Sequence, residues 1–138
     1  MSVQKIYTDG SCLSNPDGPS GWSFCLPEKE RVWLVSGGEP SSTNNRMELT
    51  AVIEALRYVS DGGSYVIYTD SLLTLNCATG KWKRKSNVDL WKIYGEVSVG
   101  KTLSWVWVKA HNGDMYNEMV DTAARNEAKN QKNKNIEQ

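Results

Sequence analysis

The chain has 138 residues, 39% apolar and 23% charged, which bounds it to one domain with a single substantial core. No run approaches the ~18 consecutive apolar residues of a membrane span, and no signal-peptide pattern precedes the first strand-like segment. Sixteen basic and sixteen acidic side chains give a formal net charge of zero, so the overall balance draws the protein neither to nucleic acid nor to a membrane surface.

Val3 to Thr8, rich in β-branched and aromatic residues, predicts a first strand that Gly10 breaks. Asp9 then stands at its carboxyl end, where open α/β sheets bind ligands. Ser14 to Gly21 is dense in turn formers and reads as loop. Trp22, Phe24 and Leu26 alternate with Ser23 and Cys25 in a half-buried second strand ending at Pro27. Arg31 to Ser36 makes a third, antiparallel by hairpin connection, and Gly37 to Ser42 reads as loop. The first long helix opens at Thr43, with Thr43 or Asn44 as its cap, and runs to about Ser60 before Asp61-Gly62-Gly63 stops it.

Tyr65 to Thr69 predicts a central fourth strand, and a short helix follows Asp70 with Ser71 at its start. Lys81, Lys83, Arg84 and Lys85 then form a basic cluster around Trp82 in the loop Gly80 to Ser86. Such a patch can hold a phosphate backbone on a neutral protein; it also fits a merely solvated loop. A helix from about Val88, capped by Ser86 or Asn87, ends at Gly100, and Leu103, Trp105 and Trp107 mark a fifth strand. A polar loop, Lys109 to Asp114, carries the single histidine, His111, and a last helix opens near Asn117. From Lys129 the chain is mostly Asn, Gln and Lys with little apolar content, so residues 1–128 read as one domain and 129–138 as a disordered polar tail. The element order predicts a mixed α/β fold: an antiparallel hairpin followed by crossover units.

Ile67-Tyr68-Thr69-Asp70-Ser71 repeats the pattern of Ile6-Tyr7-Thr8-Asp9-Gly10-Ser11. If the two strands lie parallel and adjacent, Asp9 and Asp70 emerge together. Two carboxylates that close repel, and one takes up a proton unless a divalent cation binds. The same residues also fit as caps or turn formers. Glu48, Val52, Ala55 and Val59 share the inward face of the first long helix, with Asn44 one turn earlier and no basic residue among them. A bare carboxylate there is costly, which favours a metal. Asn117, Asp121, Ala124 and Ala128 repeat the arrangement on the last helix. The three cysteines, Cys12, Cys25 and Cys77, form no CxxC pair, which argues against a thiolate zinc site and fits a reducing cytoplasm. Carboxylate oxygens without thiolates select Mg2+ or Mn2+, and four of them suit two ions roughly 3.5–4 Å apart that clamp a phosphodiester.

Tyr7-Thr8-Asp9-Gly10-Ser11-Cys12, Thr43-Asn44-Asn45-Arg46-Met47-Glu48-Leu49, Tyr68-Thr69-Asp70-Ser71, Asn87-Val88-Asp89-Leu90-Trp91 and Trp107-Val108-Lys109-Ala110-His111 through Asp121 resemble the type 1 ribonuclease H family, in family order. The resemblance implies a ribonuclease H-like fold with a five-stranded mixed sheet, and endonucleolytic cleavage of the RNA strand of RNA–DNA hybrids. It implies 5′-phosphate and 3′-hydroxyl products and two Mg2+ ions, with Mn2+ as a substitute. Asp9, Glu48, Asp70 and Asp121 match the family's metal-binding catalytic acids, and His111 its loop histidine, with Asn117 nearby. Cys12, Asn15, Asn44 and Asn45 match hybrid-contacting positions, Thr43 part of a phosphate pocket, and Trp82 offers a ring to stack on a deoxyribose. A cytoplasmic monomer with no obligate protein partner is expected.

The sequence departs from many bacterial members in lacking a long basic protrusion, of which Lys81-Trp82-Lys83-Arg84-Lys85 is the remnant. Leu72 also replaces a polar residue often found after Thr-Asp-Ser. Two alternatives stay open: a nuclease of the same broad fold acting on another phosphodiester, and a hybrid-binding module with weak catalysis. The Asn44-Asn45 pair and the Cys12 loop favour hybrid cleavage, because 2′-hydroxyl recognition has no purpose on DNA alone.

Overall fold

The structure, a computed structural model, describes residues 2–110 and 112–137. Strands β1 (Gln4–Cys12), β2 (Gly18–Pro27) and β3 (Val32–Ser42) are followed by α1 (Asn44–Tyr58), β4 (Ser64–Thr69), α2 (Leu72–Ala78), α3 (Val88–Val97), β5 (Thr102–Trp107) and α4 (Met115–Glu137). The strands form one sheet in the order β3-β2-β1-β4-β5. β1, β2 and β3 are antiparallel, and β4 joins β1 in parallel, as β5 joins β4. This is the mixed five-stranded sheet that the sequence predicts.

Helices cover both faces, which is why β1 is buried without interruption from Ile6 to Gly10. On one face Leu49, Val52, Ile53 and Leu56 of α1 pack on Ile6, Phe24 and Ile67, with Trp91 and Tyr94 of α3 closing the layer. A buried side chain of this size stabilises by about 1.5–3 kcal/mol relative to exposure. On the other face Val120 of α4 meets Tyr7 and Cys25, and Tyr7 stacks on Tyr68 with ring centres 4.4 Å apart. α4 comes so close to β2 at Gly21 that a Cβ there would strike the Ala124 carbonyl.

Four boundaries differ from the sequence reading, each because tertiary pairing overrides local composition. β1 does not break at Gly10; it continues to Cys12 along β2, with Gly10 opposite Trp22. β2 begins at Gly18, inside the stretch of turn formers, with a register irregularity between Gly18 and Ser20. β3 runs through Gly37, Gly38 and Pro40 to Ser42, because the ladder to β2 holds it there; as a sheet-edge strand it tolerates proline. The expected disordered tail is helical through Glu137: α4 lies along β3, with Gln131 against Gly38 and Asn135 Nδ2 donating to the Pro40 carbonyl at 3.1 Å. Among the described residues, no helix is long and apolar enough to cross a membrane.

Candidate active site

β1 and β4 pair in parallel up to Tyr7 opposite Tyr68, and β4 ends at Thr69. Asp9 and Asp70 therefore stand equally far beyond the last paired residues, side by side at one edge of the sheet. Asp70 is held by its neighbours, the Trp107 indole donating to its carbonyl at 3.2 Å. The Ser71 hydroxyl caps α2 by accepting from the Thr74 amide at 3.1 Å.

Glu48 arrives from α1. Thr43 caps that helix, its Oγ1 accepting from the Arg46 amide at 3.2 Å, while Asn15 Oδ1 accepts from the Asn44 amide at 3.0 Å. Two of the four unpaired amides at the helix start are thereby satisfied. The Gly10 amide donates to Glu48 Oε1 at 3.1 Å. Only glycine permits that approach, because a Cβ at residue 10 would collide with the backbone of Met47 and Glu48.

One ligand atom from each of Asp9, Glu48 and Asp70 lies within 4.8 Å of the others. Asp121 reaches the same open cleft of about 330 Å³ from α4, together with Asn44, Ser71 and Arg125. Its Oδ2 pairs with Arg125 Nη2 at 2.9 Å, one helical turn on.

The electrostatics are those of carboxylates short of positive charge. Burial pushes the Asp9 carboxyl up to about 8; a hydrogen bond with Glu48 opposes the rise, and the charges of Asp70 and Asp121 add to it. Glu48 is driven well above the ordinary carboxylate range, by burial first and then by the charge of Asp9. Its Oε2 is buried, and no hydrogen-bond donor among the described residues reaches it. A buried acceptor without a donor fits a cation, and the all-oxygen donor set fits Mg2+ or Mn2+.

The other predicted residues divide into groups. Cys12, Asn15 and Thr43 lie beside the start of α1, where Cys12 Sγ approaches the Ser42 carbonyl at 3.4 Å. Asn44 lines the acidic cleft, whereas Asn45 and Trp82 line a neighbouring groove of about 510 Å³ walled by the basic loop. Asn117 is 2% exposed, so it lies beneath the surface rather than at it. His111 lies outside the described residues.

Sequence reasoning missed the partners of three arginines. Arg125 was legible from its i+4 spacing to Asp121. Arg46 bonds Asp89 through both guanidinium ends, at 3.0 and 2.8 Å, and Asn87 Oδ1 at 3.1 Å, joining α1 to α3. Arg84 is not a free cation of the basic cluster. Its Nε donates to the Cys77 carbonyl at 3.0 Å, and its guanidinium lies 4.4 Å from the Trp91 ring centre. No local spacing signals those partners.

Comparison with known proteins agrees with this geometry. The model of the family described as RNase H matches residues 2–129. A ribonuclease H of Neorickettsia sennetsu is 42% identical, over 93% of this chain and 94% of its own length. Two solved structures superpose well. LC9-RNase H1, a type 1 RNase H, has a TM-score of 0.75 at 29% identity, covering 95% of this chain and 75% of its own. LC11-RNase H1, solved in complex with an RNA/DNA hybrid, has a TM-score of 0.73 at 20% identity, covering 89% of this chain and 97% of its own. With sequence, fold and the meeting of its acids in accord, the chain belongs to the RNase H family.

Proposed function

We propose that the protein is an endonuclease that hydrolyses the RNA strand of RNA–DNA hybrids, using Mg2+ with Mn2+ as a substitute, and leaves 5′-phosphate and 3′-hydroxyl ends. The observation that carries this reading is the convergence of Asp9, Glu48 and Asp70 within 4.8 Å, in a cleft that Asp121 completes. Those four carboxylates would hold two divalent ions. Such ions, when bound, acidify an attacking water and neutralise charge on the departing 3′-oxygen.

The protein's own contribution is to hold those acids in place, so that bound ions would meet them already converged. The Gly10 amide fixes Glu48, the capped start of α2 follows Asp70, and the sheet fixes Asp9. Preorganised groups of this kind need no rearrangement as charge develops. An imidazole ordinarily changes charge close to neutral pH, and His111 is proposed to relay a proton there.

Substrate discrimination is assigned to short polar groups beside the cleft. Cys12, Asn15, Asn44 and Asn45 would meet the wide minor groove, where one strand carries 2′-hydroxyls and the other does not. Thr43 would contact a phosphate of the DNA strand, and Trp82, with Lys81, Lys83 and Lys85, would follow its backbone. Asn117 would position the loop of His111 from beneath. The solved complex of LC11-RNase H1 with a hybrid supports this choice of substrate. The described cysteines are unpaired, which supports placement in a reducing cytoplasm, and a monomer completes the reading.

The test is cleavage of a labelled RNA–DNA hybrid with and without Mg2+, beside single-stranded RNA and duplex DNA. Metal-dependent loss of the hybrid's RNA strand alone is expected. Equal degradation of duplex DNA would move the substrate to another phosphodiester. Hybrid binding without cleavage in Mg2+ or Mn2+ would reduce the protein to a binding module.

A further inference from the structure

Among the described residues, five charged side chains meet in the acidic cleft, and one of them is positive. Asp9, Glu48, Asp70 and Asp121 line it together with Arg125. Asp9, Glu48 and Asp70 already present ligand atoms within 4.8 Å of one another. Asp121 does not share that set; its carboxylate is paired with the Arg125 guanidinium at 2.9 Å. The Asp121 side chain is 19% exposed and that of Arg125 50%, so the pair spans the cleft wall from inside to solvent.

We infer that Arg125 is a built-in counter-ion that holds Asp121 apart from the other acids and competes with a divalent ion for it, so that Arg125 sets the metal concentration at which the fourth carboxylate is recruited. This rests on the metal-dependent reading above. A carboxylate oxygen engaged by a guanidinium is less available as a ligand, and a fixed positive charge on the cleft wall repels an incoming cation. The two effects act in the same direction. The helix makes the exchange easy: Arg125 is one turn from Asp121 on a half-exposed side chain, and can swing into solvent without disturbing packing. Arg125 is thus a positioning residue that acts through Asp121.

The test is Mn2+ titration of the metal-free full chain by isothermal titration calorimetry, without substrate, at low and high ionic strength. The variants are Arg125→Gln, Arg125→Ala and Arg125→Lys, each checked for folding by thermal denaturation. At low salt, Arg125→Gln and Arg125→Ala should bind the weaker Mn2+ about three- to tenfold more tightly than the parent chain, as expected for one partly exposed charge. Arg125→Lys should stay near the parent affinity, and the gain should shrink at high salt as screening sets in. Unchanged or weaker binding in both neutral variants would overturn the inference. If the parent chain takes up no Mn2+ at all, the metal-dependent reading falls with it, so the two failures are told apart by the parent isotherm.

Discussion

The Gly10 amide donates to Glu48 Oε1 at 3.1 Å, across a close approach between the central strand and the first helix. The contact has two parts: a hydrogen bond that aims the acid, and a missing side chain that lets the helix come near. Alanine at position 10 keeps the amide but drives its Cβ into the backbone of Met47 and Glu48, which cannot rotate away. Gly10→Ala should cost about 1–3 kcal/mol by overpacking and should lower turnover in the molecules that still fold. Urea denaturation and hybrid cleavage measure the two effects separately. Parent-like values in both would mean that α1 can shift without carrying Glu48 out of place.

The raised acids make metal-free stability depend on pH, with a definite sign. Asp9 lies near 8 in the folded protein against an ordinary 3.8, and Glu48 is also raised. The folded state then keeps protons that the unfolded chain has released, so stability is fullest below pH ~4 for these groups and falls as pH rises toward 8. Denaturant midpoints in EDTA should therefore decline between pH 5 and pH 8. Asp9→Asn should flatten that decline while abolishing cleavage. Added Mg2+ should raise the midpoint more at pH 8 than at pH 5, because fewer protons then compete for the carboxylates. A pH-independent midpoint for the metal-free parent would contradict the crowding of the acids.

The basic cluster divides into two roles. Arg84 caps the end of α2 and stacks on Trp91, so Arg84→Ala should destabilise the fold by about 1–2 kcal/mol. Lys81, Lys83 and Lys85 have no such contacts among the described residues. Their joint replacement by alanine should leave stability unchanged, raise KM at low salt and make its salt dependence shallower. Parallel KM-versus-salt plots for the triple variant and the parent would show that these lysines do not touch the backbone of the substrate.

What was legible in the sequence was whatever local periodicity encodes. Helical spacing put Glu48 on an inward face, and Glu48 is indeed buried; the Tyr-Thr-Asp repeat placed Asp9 and Asp70 together, and the parallel register brings them there. Contacts between distant segments were not legible. Gly10 reads as a breaker until α1 is seen resting on it, and Gly37, Gly38 and Pro40 read as loop until β2 pairs with them. Arg84 reads as one more cation of the basic loop, and nothing local gives Arg46 a partner, because Asp89, Trp91 and the end of α2 reach them only in three dimensions.

The end of α4 is the sharpest case, and it yields the last prediction. From Lys129 onward the composition is that of a solvated tail, yet the helix continues because the groove beside β3 gives it contacts. Gln131 covers Gly38, which has no side chain of its own, and Asn135 bonds the Pro40 carbonyl at the exposed edge of the sheet. A docked end should protect that edge from pairing with other chains. Truncation after Asn130 should therefore lower stability by about 1 kcal/mol, the scale of a lost hydrogen bond with some packing, and speed aggregation on heating. Hybrid cleavage at low temperature should persist, since the acids and their supports lie before that point. Thermal denaturation of the two lengths side by side decides it: superimposed melts, with equal light scattering above the transition, would mean that these residues only ride on the helix.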